Sequence, residues 1–376
     1  LRKINIISID LGTKNLIIKI NDQIVFDQPS VIVFDTESGQ TFIGDEAFYM
    51  RDSLPSTKIL KEPLVNGVIA DVNALIALLT EIFINIVQVH NKKIWKKNGF
   101  WKNSVVLIGI PSKICRLDEE VLSETLQGKH VARIPLFSEK FKRYEFFSNV
   151  MNAEKIIIVP DVKLAAIGAG LSIWDPQGVF LLDIGAGTSD CSILASGDVI
   201  IQDSIATAGN FIDTEIKRYL EEMHYLSISK KQAEEIKIQV GLPIVDEELA
   251  AKVAEIDTKI TVYGKSLKTG NPEKIVLERS DIEKIIAQSI EPIIELCKLI
   301  ILRSSDTFAK TIQENGLVLT GGSALLKNID SYIAKELNLE HVVVADEPLK
   351  CVIKGTQIYE MHKSDLYEKG YIRPSR

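Results

Sequence analysis

Within eight residues, Asp183-Ile184-Gly185-Ala186-Gly187-Thr188-Ser189-Asp190 sets two carboxylates and two hydroxyls around a glycine-flanked tip. Glycine has no Cβ, so backbone N–H groups can crowd around an anion there and positive φ costs little. Thr188 and Ser189 add hydroxyl donors, while Asp183 and Asp190 could position a metal ion or its waters. An ordinary hairpin with a polar turn would show the same residues. The chemical reading gains weight because the device occurs twice. Asp10-Leu11-Gly12-Thr13-Lys14-Asn15 has the same order of apolar run, aspartate, glycine and threonine. A third glycine turn, Gly321-Gly322-Ser323, follows an apolar run and precedes helix-like text. Free N–H groups and the positive end of a helix dipole would favour a phosphate or the edge of a nucleotide at that turn. Alone, a strand–glycine–helix turn is explained as well by packing.

Strands have to hold these turns on either side. Val179–Ile184 and Cys191–Leu194 frame the central tip as a strand–turn–strand hairpin, and Ile4–Ile20 reads as a second one. Two copies predict two related halves rather than a short-period repeat. Short strands are expected in Val25–Asp35, Gln40–Ala47 and Gly67–Val72. Ala74–His90 has helical length and is apolar nearly all round, which predicts a buried helix. Ser104–Pro111 and Glu154–Asp161 read as strands, and Val162–Leu171 as a small-residue helix. Leu117 to Lys142 reads as two helices broken around Gly128 and Pro135. Ala208-Gly209-Asn210 opens an amphipathic helix, and Gly241 suits the C-cap of the next. A β-ribbon over Lys259–Glu278, a long helix from Arg279 to Ser304 and a C-terminal helix complete an alternating α/β pattern.

The 376 residues suffice for two domains or one large two-lobed body. A net charge of −7 argues against nucleic acid as a partner, so basic patches must be judged locally. No apolar run reaches the roughly 18 residues that cross a bilayer. No signal peptide is expected, since a strand begins within a few residues of the start. The first residue is Leu1, which suggests that a short N-terminal piece is missing. Cys115, Cys191, Cys297 and Cys351 lie far apart, which argues against structural zinc or a disulfide framework and fits a reducing cytoplasm.

Taken together, DLGTKN, QPSVIVFD, FIGDEA, PLVNGVIADV, AAIGAGL, DIGAGTSD, AEEIK, VLTGGSALLKNID and DEPLKCVIKG resemble the actin, sugar-kinase and heat-shock chaperone ATPase superfamily. Within it, the chain is similar over nearly its whole length to the bacterial actin MreB family. The resemblance implies an actin-like two-lobed α/β fold: duplicated ribonuclease H-like domains around a nucleotide cleft, each with a small inserted subdomain. It implies subdomain IA at 1–31, 73–168 and 343–376, and IB at 32–72. Subdomain IIA would take 169–206 and 271–342, and IIB 207–270.

ATP or ADP with Mg2+ is the implied cofactor. Gly12, Thr13, Lys14 and Asn15 would form the first phosphate loop, and Gly185, Ala186, Gly187 and Thr188 the second. Asp10 and Asp183 would organise the metal and its waters. Glu234 and Lys237, one turn apart on a helix face, match the family's ribose and adenine contacts. Gly321, Gly322 and Ser323 match its adenosine loop. Gly209 matches the turn that closes over the nucleotide, although Asn210 replaces the usual aspartate.

Two departures bear on mechanism. The family carries a glutamate before its AAIGAGL-like helix, where it orients the attacking water, and Asp161 stands there instead. Its carboxylate is one methylene shorter, and a misplacement of about 1 Å can cost roughly 100-fold in rate. Lys163 replaces an apolar residue and could hold Asp161 away from water. Thr188, the other water-positioning residue, is present, so ATP binding with slow hydrolysis is expected. Lys14 replaces a small residue at its tip; it could contact a phosphate oxygen or point to solvent.

Lys92–Asn103 interleaves Ile94, Trp95, Phe100 and Trp101 with five lysines. Such a segment suits a membrane interface, with rings among headgroups and ammonium groups on anionic lipid. A solvated loop folded back on the body is the alternative. The family docks on the inner membrane face at this place, and its paired protofilaments run antiparallel. The implied partners are therefore copies of the chain and the membrane surface, with other family members or membrane proteins beside them. Arg116–Asn152 is longer than its family counterpart and fits a partner surface, a membrane contact or a neutral insertion. Rival readings are a small-molecule kinase, whose sugar pocket and catalytic aspartate are not evident, and a chaperone ATPase, which needs a further substrate domain. A filament protein with ATP only as a fold ligand is a third.

Overall fold

In the computed structural model the described residues are 5–89, 104–127, 153–246, 248 and 258–361. They divide into two units, one holding 5–164 with 352–361 and the other 165–351.

The first unit is built on a mixed five-stranded sheet. Its strands begin with β1 (Asn5–Leu11), β2 (Asn15–Ile20) and β3 (Gln23–Pro29), each antiparallel to the one before. A small three-stranded sheet follows from β4 (Ile32–Asp35), β5 (Thr41–Ile43) and β6 (Lys58–Lys61), with helix α1 (Gly44–Met50) between the last two. Gln40–Ala47 therefore does not form one strand: the chain turns at Gly44, whose φ is +60°, and Asp45 and Glu46 then favour the positive end of a helix. A two-residue pair, β7 (Leu64–Val65) and β8 (Val68–Ile69), leads into α2 (Val72–Val89). This helix is buried along Ala74–Phe83, as its all-round apolarity predicts. The main sheet resumes with β9 (Ser104–Ile110) parallel to β1, then α3 (Arg116–Leu126) and β10 (Lys155–Pro160) parallel to β9. The rest of the predicted helical region after α3 lies outside the described residues. The sheet order is β10-β9-β1-β2-β3.

The boundary between units falls inside α4 (Asp161–Gly168). The second unit repeats the plan with β11 (Val179–Ile184), β12 (Ser189–Ala195) and β13 (Asp198–Ile205) as an antiparallel meander. Helices α5 (Gly209–His224) and α6 (Lys230–Val240) follow, with a small sheet of β14 (Leu226–Ser227), β15 (Lys259–Ser266) and β16 (Pro272–Glu278). After α7 (Arg279–Arg303) and α8 (Asp306–Asn315), β17 (Leu317–Thr320) pairs parallel with β11. Helix α9 (Ile329–Leu337) leads to β18 (Val342–Val344), parallel to β17, and α10 (Cys351–Met361) ends the described chain. The order β13-β12-β11-β17-β18 is that of the first unit, strand for strand. The duplication inferred from two hairpins is thus a duplication of whole sheets.

Period-two alternation sorts each central strand. Phe180, Leu182 and Ile184 of β11 join Cys191, Ile193, Leu317 and Leu319 on one face, packed with Ile212, Ile216 and Leu220 of α5 and the apolar stripe of α7. In the first unit Ile7, Ile9 and Leu11 pack with Leu16, Ile18, Ile108, Leu75 and Leu78. Each central strand is therefore packed into its core on both sides of its aspartate.

One packing contact in the first unit admits no side chain. A Cβ on Gly355 of α10 would fall well inside van der Waals contact of the Leu164 carbonyl oxygen. Gly355→Ala is expected to cost about 1–3 kcal/mol through overpacking. The check is a lower urea midpoint at unchanged m-value.

Candidate nucleotide-binding residues

In the first unit, Asp10 sits one residue from the end of β1, opposite Ile17 of β2 and Gly109 of β9. The tip beyond it is tight: a Cβ on Gly12 would collide with the Asn15 carbonyl oxygen. Two residues that sequence reasoning did not single out brace this tip. The buried Ser30 donates its hydroxyl to the Gly12 carbonyl at 2.7 Å and its N–H to the Lys14 carbonyl at 2.8 Å. Gly67 donates its N–H to Thr13 Oγ1 at 3.2 Å. Both lie in the QPSVIVFD and PLVNGVIADV stretches, whose turn residues were the available signal. Lys14 is the exposed residue of the tip.

Asp161 is the first residue of α4, directly after β10. Its Oδ1 accepts the Val162 N–H at 2.7 Å, so the short carboxylate folds onto the start of its own helix. That bond is open to an aspartate because its side chain is short.

In the second unit the predicted residues converge. Asp183 occupies the β11 position equivalent to Asp10 and pairs in register with Asp190 of β12 and Thr320 of β17. Thr320 donates its hydroxyl to Asp183 Oδ1 at 2.9 Å. Desolvation by the surrounding protein pushes Asp183 up to about 6; the neighbouring Asp190 carboxylate adds to this and the Thr320 bond opposes it.

The Gly185 N–H turns inward to the Thr188 carbonyl at 2.9 Å and closes the tip. The Gly185 carbonyl accepts the Gly209 N–H at 3.2 Å and the Ser323 hydroxyl at 3.0 Å, while the Ala186 carbonyl accepts the Asn210 N–H at 2.8 Å. With those carbonyls tied back, the tip amides that remain are Ala186, Gly187 and Thr188. They are the donors an anion at this hairpin would meet.

Gly209 is the first residue of α5, where a Cβ would stand 2.8 Å from Ser323 Oγ. Lys237 of α6 is buried, and its Nζ donates to the Gly209 carbonyl at 3.0 Å. Glu234, one turn earlier, is half-buried.

The third glycine turn differs from expectation. Gly321 has φ +82°, and a Cβ there would lie 2.6 Å from Asp183 Oδ1 and against the Ile184 carbonyl. Gly322–Leu325 form only a 3-10 turn, and α9 begins later, at Ile329. The N-terminal dipole of an α-helix is therefore not what this turn offers. Its work is close approach: Gly321 lies beside Asp183, and Ser323 reaches the second hairpin.

These features fit phosphate with a cation beside it. Gly12 and Gly321 leave no room for a side chain next to backbone oxygen, and two adjacent carboxylates, one pushed up to about 6, favour a cation. The membrane-loop residues Ile94, Trp95, Phe100 and Trp101 lie outside the described residues. Among the described residues no helix is long and apolar enough to cross a membrane.

Comparison with known proteins agrees with this geometry. The profile described as MreB/Mbl protein matches residues 4–142 and 145–368. Cell shape-determining protein Mbl of Bacillus subtilis (strain 168) is 30% identical over 357 residues, covering 94% of each chain. MreB5 of Spiroplasma citri, solved with AMPPNP and with ADP, superposes with TM-score 0.80 at 29% identity. The AMPPNP form covers 98% of this chain and all of its own. The MamK double helical filament shares the fold at TM-score 0.68 and 18% identity, covering 95% of this chain and 98% of that one.

Proposed function

Since the chain belongs to the MreB/Mbl family of actin-like cytoskeletal proteins, we propose that it binds ATP with Mg2+ and polymerises into filaments that serve cell shape or shape-linked motility. The observation that carries this reading is the repeated sheet, whose two central strands each carry an aspartate one residue from their end, ahead of a glycine tip. In support, a relative of 29% identity was solved with AMPPNP and with ADP.

Gly12, Thr13, Lys14 and Asn15 would meet phosphate through the first hairpin, and Ala186, Gly187 and Thr188 through the second. Asp10 and Asp183 would hold Mg2+, whose chemistry is to neutralise phosphate charge. Gly209, Glu234, Lys237, Gly321, Gly322 and Ser323 would receive the nucleoside. Asp161 and Thr188 would orient water, with Asp161 placed poorly for it, so hydrolysis is slow. The subdomain limits given above belong to this proposal. So do a cytoplasmic location peripheral to the inner membrane face, and antiparallel pairing of protofilaments like those of the family.

Phosphate release measured during polymerisation, alongside sedimentation with ATP and Mg2+, tests the reading. Filaments that form only with nucleotide and release phosphate slowly are expected. Sedimentation indifferent to ATP would overturn the nucleotide-driven part. For membrane docking, the triple variant Trp95→Ala, Phe100→Ala, Trp101→Ala is expected to lose most co-sedimentation with anionic liposomes. Undiminished binding would remove that loop from the account.

A further inference from the structure

The nucleotide reading assigns Lys237 a contact but gives no reason why its ammonium is buried. The reason lies one turn into α5. Asp213 is 2% exposed and Lys237 5% exposed, and Lys237 Nζ stands 2.7 Å from Asp213 Oδ1. The same ammonium donates to the Gly209 carbonyl at 3.0 Å. Burying a charged pair is expensive, and apolar residues of similar size would often serve stability as well or better. A buried pair whose cation also grips a backbone carbonyl has a geometric use.

That carbonyl belongs to the turn on which the second hairpin leans. Gly209 and Asn210 donate their N–H groups to the Gly185 and Ala186 carbonyls, and Ser323 donates to Gly185 beside them. A Cβ at Gly209 would stand 3.4 Å from both Lys237 Nζ and the Gly185 carbonyl, so the parts touch without slack. The contacts therefore run Asp213 carboxylate, Lys237 ammonium, Gly209 turn, hairpin tip.

Building on the nucleotide reading, we propose that Asp213 is a positioning residue: through Lys237 it holds the Gly209 turn, and with it the Gly185–Thr188 tip, in the conformation that receives ATP. Asp213 reaches the ligand only through Lys237, which separates its role from that of Glu234 and Lys237 themselves.

The test uses the full chain and four variants. Asp213→Asn and Lys237→Met each break the pair, and the double variant Asp213→Asn/Lys237→Met removes the stranded charge as well. Glu283→Gln is the control, since it breaks the Arg279–Glu283 pair, 2.9 Å long and half-buried in the same unit. Hydrogen exchange without nucleotide is followed at Gly209 and Asn210, and ATP affinity is measured with Mg2+ by equilibrium dialysis.

Asp213→Asn is expected to speed exchange at these two amides at least about tenfold, the scale of losing a hydrogen bond to a charged group. It should weaken ATP binding by a similar factor. The double variant should recover the melting temperature yet keep fast exchange and weak binding. Glu283→Gln should lower the melting temperature and leave both other readouts alone. A double variant with wild-type exchange and wild-type ATP affinity would overturn the assignment, as would a control that moves them equally. Should the wild-type chain itself fail to bind ATP, the nucleotide reading fails, and exchange at Gly209 and Asn210 still decides whether Asp213 holds the turn.

Discussion

Asp161→Glu is expected to raise the rate of phosphate release by up to about 100-fold, the factor that a misplacement of about 1 Å can command. The carboxylate of Asp161 is engaged close to its own backbone, with Oδ1 accepting the Val162 N–H at 2.7 Å at the first turn of α4. A carboxylate engaged with the neighbouring N–H is not aimed outward as a base. Glutamate adds one methylene, which disfavours that short local bond and carries the carboxylate beyond the helix end. Asp161→Asn is the companion variant: it keeps an oxygen for the Val162 N–H but loses the charge, and it should lower release further. Phosphate release at saturating ATP and Mg2+ separates the cases, with sedimentation run in parallel to hold filament mass constant. Equal rates for wild type, Asp161→Glu and Asp161→Asn would show that Asp161 takes no part in orienting water. Release no faster than the uncatalysed background in all three would leave ATP as only a structural ligand.

How much of this could be read before any fold was in hand depended on whether a residue's role was local. Gly12 and Gly185 were legible because a glycine shortly after an aspartate at a strand end advertises close backbone approach, and the structure shows that a Cβ at Gly12 would collide with backbone oxygen. The buried α2 was legible from apolar residues on every face. Ser30, Gly67 and Asp213 were not, because each works through a contact with a distant part of the chain. Ser30 and Gly67 reach the first tip from 18 and 54 residues away. Asp213 sits in an amphipathic helix where a carboxylate reads as a solvated face, and only the packing of α6 on α5 shows it buried against Lys237. Two local readings failed for a common reason. At Gly44 and Gly321 the chain has positive φ and leaves its strand direction, and at Gly44 the acidic Asp45 and Glu46 then suit a helix start. Gly44 thus opens a helix where a short strand was expected. Gly321 opens a 3-10 turn where a helix start was expected.

Asp183→Asn is expected to have opposite effects on the empty and the loaded chain. Without ligand, Asp183 sits beside Asp190, and desolvation first and that carboxylate second raise it from an ordinary 3.8 to about 6. A raised carboxylate means that the folded chain holds its proton more tightly than the unfolded chain does. Its contribution therefore favours folding most below about pH 4 and is lost as pH climbs through about 6. The difference is worth at most about 3 kcal/mol, less where solvent screens the pair. At pH 8 the ligand-free Asp183→Asn chain should accordingly melt no lower than wild type, and higher if Thr320 keeps its bond to the amide oxygen. Below pH 4 the advantage should vanish. With ligand the order reverses: a wild-type chain held at about 100 times the dissociation constant of Mg-ATP gains about 2.7 kcal/mol, and the variant should gain little of it, having lost the charge that favours the cation. Melting curves at two pH values, with and without Mg-ATP, give all four numbers. If the variant is less stable than wild type at pH 8 without ligand and still gains fully from Mg-ATP, Asp183 is a structural residue of the β11–β17 pairing. If the gain alone disappears, the like-charged pair of Asp183 and Asp190 is a strain that bound cation relieves, and the cost it imposes on the empty fold is the measure of its use.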